Sequence, residues 1–276
     1  MAALMALEEA GLSDAFDHVI GSSAGAINGA YFLAQQAKLA VTVYLDDISN
    51  KRFINFLRLK KTVDIDYLID EVLKRHKALD VEKVRAARSL LHIILTDYEA
   101  CQPFTVTNRD IHVDLMEALR ATAAMPLLYN RSIQIGGRHY IDGGVSDLLP
   151  LHKAIELGCT DILVVLTCPP GFRRWRLRGA TRLLIGALMR THPRQMKAAL
   201  LSEDARFNRA MDWIEDPKTA PRGARIAAVF PSNVGKMVSR VTANRRLLLA
   251  CALMARNDAR VALKLPPKMD DPWKSS

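Results

Sequence analysis

The stretch Gly21-Ser22-Ser23-Ala24-Gly25 constrains this chain more than any other. Before it lies Phe16-Asp17-His18-Val19-Ile20, an apolar run of strand length; after it, residues 26–36 are Ala-rich and of helix length. A Gly-x-Ser-x-Gly between strand and helix is the pattern of a nucleophile elbow, a turn sharp enough to lift a serine hydroxyl clear of a sheet. The expected reason for the glycines is steric: side chains at Gly21 and Gly25 would collide with the turn or with the strand beside it. The turn also aims a helix N-terminus at whatever binds beside Ser23. Five letters alone fit a Gly/Ser-rich loop without chemistry equally well; the flanking strand and helix favour the elbow.

The rest of the chain alternates between strand and helix patterns. Helices are expected over residues 1–10, 41–48, 64–75, 111–124, 151–157 and 238–256, and strands over 16–20, 89–96, 103–107, 132–135, 138–141, 161–167 and 225–230. Gly136-Gly137 between two short apolar runs reads as a tight hairpin turn. Asp161 to Thr167 reads as the clearest central strand. This alternation predicts an α/β fold with a mainly parallel central sheet flanked by helices. Without repeats or an evident linker, residues 1–265 read as one domain and 266–276 as a loose tail.

Charge bears on partners. The 276 residues carry a net charge of +10, which favours nucleic acid or an anionic membrane surface. From Ile162 to Ser202 there is no acidic residue, and Arg173 to Lys197 mixes arginines with Trp175 and several leucines. That mixture fits an interfacial helix on anionic lipid, or an ordinary amphipathic helix with a solvated basic face. Lys51 to Arg58 mixes aromatic and basic residues in the manner of a surface loop or a lid. No nucleic-acid motif is present, and few aromatics accompany the basic residues, so nucleic acid is not the expected partner. The four cysteines are scattered without metal or disulfide spacing and read as reduced thiols. No secretory signal and no bilayer-spanning run is visible, so the expectation is a cytoplasmic chain that associates peripherally with membranes.

A serine hydroxyl needs a base. In the order Ser…Asp…His the histidines available after Asp142 are His152 and His192, neither with a distinguishing neighbourhood. Asp142 itself ends an expected strand and precedes Gly143-Gly144, which would project a carboxylate from the sheet end; Asp-Gly is equally a common turn dipeptide.

With these residues in view, the chain resembles the patatin-like phospholipases, serine acyl hydrolases that use a Ser-Asp dyad. The resemblance lies in four blocks: Phe16 to Asn28 around Gly-x-Ser-x-Gly; Thr96-Asp97 with Gln102-Pro103-Phe104; Arg120-Ala121-Thr122-Ala123-Ala124-Met125-Pro126; and Tyr140-Ile141-Asp142-Gly143-Gly144. It implies Ser23 as nucleophile, Asp142 as general base, and Gly21, Gly25, Gly143 and Gly144 as motif glycines. It implies a patatin-like fold, a lipid substrate, and hydrolysis of fatty-acyl esters of the phospholipase A or lysophospholipase type, with no cofactor and no metal.

The resemblance also has a gap. The family opens with a strand and a Gly-Gly-Gly-x-Arg-Gly loop that lends N–H groups to the oxyanion hole, and neither precedes the helix that begins here at Met1. An incomplete chain is one explanation. The other is a catalytically impaired member acting as a lipid-binding or regulatory protein, with Ala24 N–H as the remaining oxyanion donor.

Overall fold

In a computed structural model, residues 1–58, 61–175, 179–190, 192–233, 242 and 244–273 are described. The central strand is β2, Leu90–Asp97, whose Leu-Leu-His-Ile-Ile-Leu-Thr-Asp sequence is buried from Leu91 onward. Such a continuous apolar run suits a strand covered on both faces. Along one edge of β2 lies β3, Pro103–Thr107, antiparallel, with His92 to Thr96 opposite Thr107 to Pro103.

Two strands share the other edge, and they arrive from opposite directions. The first, β1 (His18–Ser22), runs parallel to β2 and ends with Ser22 opposite Ile94. The second, β5 (Arg138–Asp142), runs antiparallel and ends with Asp142 opposite Leu95. Two strand ends separated by more than a hundred residues of chain therefore meet on consecutive positions of β2. The approach leaves no room for a side chain just past β5: a Cβ on Gly143 would lie 2.0 Å from the carbonyl oxygen of Ile94.

The α/β class expected from the sequence holds, with a mixed rather than mainly parallel pairing. The pair β1–β2 is parallel, while β2–β3, β2–β5 and the hairpin of β4 (Ile133–Ile135) with β5 are antiparallel. The hairpin is forced by its turn, where Gly136 and Gly137 both have positive φ (56° and 81°). Asp161–Val165 (β6), expected at the centre, instead pairs in parallel with β7, Arg225–Val229, in a two-stranded sheet of its own. Both its faces are covered by helices, which is why its apolar run resembles a central strand. Ile162, Val164 and Leu166 pack with α6 (Leu151–Glu156) and α9 (Glu203–Glu215). Leu163 and Val165 pack with α1 (Ala2–Glu9) and α10 (Arg245–Ala262).

The main core lies between the five-stranded sheet and α2 (Ala24–Leu33), α5 (Leu115–Ala123) and a π-helix over Tyr67–His76, with α3 (Ala37–Thr42) and α4 (Val81–Ala86) adding Ala40 and Val84. Caps move some boundaries inward from the sequence expectation. Asp114 accepts from Met116 N–H at 2.8 Å and starts α5 four residues after Ile111. Asn244 does the same for α10, accepting from Arg246 N–H at 3.0 Å. The helix expected from Val238 begins there, and residues 234–241 and 243 lie outside the described set.

The expected loose tail is tied down through residue 273. Arg256, 1% exposed, pairs with Glu9 of α1 at 2.7 Å and with Asp270 at 3.1 Å. Asn257 and Lys268 exchange two hydrogen bonds, and Trp273 Nε1 donates to Lys38 O at 3.1 Å. A buried guanidinium requires carboxylates, and the tail supplies one of them.

Two outcomes follow from the strands. Gly143→Ala forces a methyl group into backbone that cannot yield, with an expected destabilisation of more than ~3 kcal/mol, read as a lowered Tm. His92 on β2 meets His18 Nδ1 at 3.0 Å through its Nε2, and burial, reinforced by that neighbour, lowers it from 6.5 to about 4. Its contribution is therefore complete above pH 6.5 and is lost as the pH falls toward 4, by about 3 kcal/mol in full. Thermal unfolding of His92→Gln should accordingly lose less Tm between pH 7 and pH 4.5 than the unsubstituted protein does.

Candidate active site

At the end of β1 the backbone turns directly into α2 through Ser23, which sits at φ 52° and ψ −129°. A non-glycine residue in this region carries strain of about 1–3 kcal/mol and persists only where its surroundings hold it. Here the hold is visible. Ser23 N–H donates to Thr122 Oγ1 at 2.8 Å, and the Thr122 hydroxyl donates to Ile94 O at 2.6 Å. Thr122 on α5 thus pins the turn to the central strand. Gly21 is needed for close approach, since a Cβ there would lie 2.5 Å from Ala26 N.

The expectation for Gly25 does not hold in the same way: a Cβ there meets nothing within 4 Å, and the residue is exposed. Gly25 sits in the first turn of α2, facing away from the strand, so its position demands no glycine. Ala24 begins α2 and is also exposed. Its N–H belongs to the first turn, where no intrahelical acceptor exists.

Asp142 is 1% exposed. Its Oδ2 accepts from Ser23 Oγ at 2.8 Å, and its Oδ1 accepts from Gly144 N–H at 2.7 Å. The backbone of Asp142 is anchored twice more: its N–H donates to Ala124 O at 3.1 Å, and its carbonyl accepts from Thr96 Oγ1 at 2.8 Å. The Thr96 hydroxyl also lies 2.8 Å from Ser146 Oγ. The carboxylate therefore has little freedom to swing away from the serine. Five residues on, partial burial raises the Asp147 carboxyl to about 6.

Ser23, Ala24 and Asp142 line a cavity of about 190 Å³. Its other walls are mainly apolar, among them Ile27, Val43, Phe53, Val63, Leu68 and Leu128. Three tyrosines contribute rings whose hydroxyls are already engaged: Tyr31 with Lys77 O, Tyr44 with Asn28 Oδ1 at 2.8 Å, and Tyr129 with Asp66 at 2.6 Å. A cavity that offers ring faces rather than donors suits a hydrocarbon chain, with polar chemistry confined to the end where Ser23 and Asp142 meet.

The two histidines weighed from the sequence sit elsewhere. His152 on α6 is exposed and pairs with Glu156 at 3.1 Å. His192 lies 3.3 Å from Tyr98 Oη. Neither lines the cavity. Among the described residues no group of three or more His, Cys, Asp or Glu side chains could hold a metal.

The basic stretch also differs from a single interfacial helix. It contains α7 (Gly179–Leu188) and α8 (Arg194–Leu201), with Arg176, Leu177 and Arg178 outside the described residues. Arg173 pairs with Asp212 and Glu215, and Arg174 with Glu203, so α9 neutralises part of the charge. Ile185 and Met189 pack toward Leu127, Ile141 and Val145, beside the turn after β5, whereas Trp175 is 93% exposed.

Sequence reasoning did not single out Thr96 or Thr122. Both fall inside the resembling blocks, yet a threonine in a strand or an Ala-rich helix carries no signal of its own; only the hydrogen bonds reveal the role.

An uncharacterized protein of Escherichia coli (strain K12), YjjU, is 26% identical over 164 residues, covering 56% of this chain and 44% of its own length. The chain thus spans less than half the length of that relative. A family model described as Patatin-like phospholipase matches residues 1–155, more than half of the 276; the chain belongs to the patatin-like phospholipase family.

Proposed function

We propose that this chain hydrolyses fatty-acyl esters of lipids through Ser23 and Asp142. Family membership supports lipid acyl hydrolysis as the class of activity. The observation that carries the finer reading is the 2.8 Å hydrogen bond from Ser23 Oγ to a buried carboxylate at the end of an apolar cavity. A serine paired with a carboxylate base gains nucleophilicity from short contact and exclusion of water rather than from a high proton affinity.

In this mechanism Asp142 takes the Ser23 proton as Oγ attacks the acyl carbonyl carbon. The carbonyl oxygen becomes an oxyanion facing Ala24 N–H at the start of α2, where the helix dipole favours negative charge. Collapse of the tetrahedral species breaks the ester C–O bond, and the departing alcohol takes the proton back from Asp142. Water, deprotonated by the same carboxylate, attacks the acyl-enzyme; the acid leaves and Ser23 recovers its proton. Gly144 N–H, bonded to the other carboxylate oxygen, keeps Oδ2 turned toward the serine throughout.

The lipid substrate is the partner, reached at an anionic membrane surface by a peripherally associated, cytoplasmic chain. A net charge of +10 supports this, and so do the exposed apolar side chains. Among the described residues no helix is long and apolar enough to cross a membrane.

Turnover of p-nitrophenyl butyrate tests the dyad. Ser23→Ala should lower it by roughly 10⁴-fold or more and Asp142→Asn by a comparable factor, whereas His152→Ala and His192→Ala should leave it unchanged. Silence of either histidine variant, together with full activity of Asp142→Asn, overturns the dyad. Lipid binding by a wild-type chain without turnover would favour the regulatory reading.

A further inference from the structure

Between Ser49 and Val63 the chain carries five basic side chains and no acidic one. Its described residues, 49–58 and 61–63, form the two sides of a short finger. Ile54 pairs antiparallel with Val63, Asn55 N–H donates to Thr62 O at 2.8 Å, and Asp64 N–H donates to Phe53 O at 2.8 Å. The stem is part of the cavity itself, since Phe53 and Val63 line it.

The tip itself is exposed. Asn55 Oδ1 accepts from Leu57 N–H at 3.0 Å, and Arg58 N–H returns to Asn55 O at 3.1 Å, an Asx-type turn. This turn presents Phe56 and Leu57 to solvent, 68% and 90% exposed. Arg58 braces it against the stem, donating to Lys51 O at 3.2 Å and to the Asp64 carboxylate at 3.1 Å. Two adjacent large apolar residues are thus held in water by a built turn, next to the cavity and serving no part of the core. Lys51 and Arg52 stand exposed at the base.

We propose that this finger docks the protein on an anionic bilayer, with Phe56 and Leu57 entering the acyl region and Lys51 and Arg52 meeting headgroup phosphates. Charge complementarity decides the occupant: Arg58 and Lys61 are held by Asp64, whereas Lys51 and Arg52 stand exposed beside the apolar tip and match anionic lipid. A second copy of this chain, itself at +10, would be repelled. The proposal rests on the lipid-hydrolase reading and gives it a route. Because the stem forms part of the cavity wall, docking the tip holds the cavity close to the membrane surface, which shortens the path of a lipid to Ser23.

The experiment compares wild type, Phe56→Ala/Leu57→Ala and Lys51→Glu/Arg52→Glu. It measures sedimentation with vesicles of phosphatidylcholine alone or mixed with phosphatidylglycerol, and p-nitrophenyl butyrate turnover without vesicles. Wild type should bind the anionic vesicles preferentially. The apolar pair should weaken that binding by roughly tenfold or more, the charge-reversed pair should abolish the preference, and soluble-ester turnover should persist in both. A Leu57→Trp variant should add blue-shifted emission over wild type on anionic vesicles. Unchanged sedimentation of the apolar pair, equal wild-type binding to both vesicle types, absence of any added emission shift from the introduced indole, or a dimer dissolved by the apolar substitutions each overturns the finger. Loss of soluble-ester turnover in wild type would instead count against the hydrolase reading and leaves the vesicle result to decide the finger separately.

Discussion

One edge of β2 serves two partners, and the site depends on how they divide it. Over Leu90 to Ile94 the partner is β1, running parallel; over Leu95 to Asp97 it is β5, running antiparallel. Backbone hydrogen bonding cannot switch between these directions without a break. The break falls between Ile94 and Leu95, where both incoming strands stop. Chain ends at a sheet must leave the plane, and the two that leave here carry Ser23 and Asp142. Gly143 is the steric condition for this junction, because the chain leaving β5 passes against the carbonyl of Ile94.

Around that junction a small set of hydroxyls completes the backbone accounting. Interrupted pairing leaves N–H and C=O groups that burial would make costly. Thr122 takes up Ser23 N–H and Ile94 O; Thr96 takes up the carbonyl of Asp142. Each is a short, β-branched side chain with one stiff torsion. Such a side chain holds a partner within a few tenths of an ångström, as proton transfer between an alcohol and a carboxylate requires. The strain at Ser23 is tolerated because these contacts over-determine it.

How much of this can be read from the sequence follows from distance along the chain. The strand–turn–helix around Ser23 and the Gly136-Gly137 hairpin are local, and their residues specify them almost unaided. Asp142 lies at the end of a strand that the hairpin signal already locates, but its meeting with Ser23 is non-local; only resemblance to a family indicates it beforehand. Three features stay hidden for the same reason. The continuous apolar run of β6 cannot say which helices cover each face. Gly25 looks indispensable in the motif, yet no atom crowds it. Arg173 and Arg174 look like free surface charge until α9, some thirty residues later, supplies Asp212, Glu215 and Glu203.

Arg256 links positions 9 and 270 through one guanidinium sealed from solvent. Leaving such a charge without its carboxylates would cost about 3–5 kcal/mol. The anchoring of α1 therefore depends on a carboxylate far along the chain, and removing Asp270 would be felt at the helix that precedes β1.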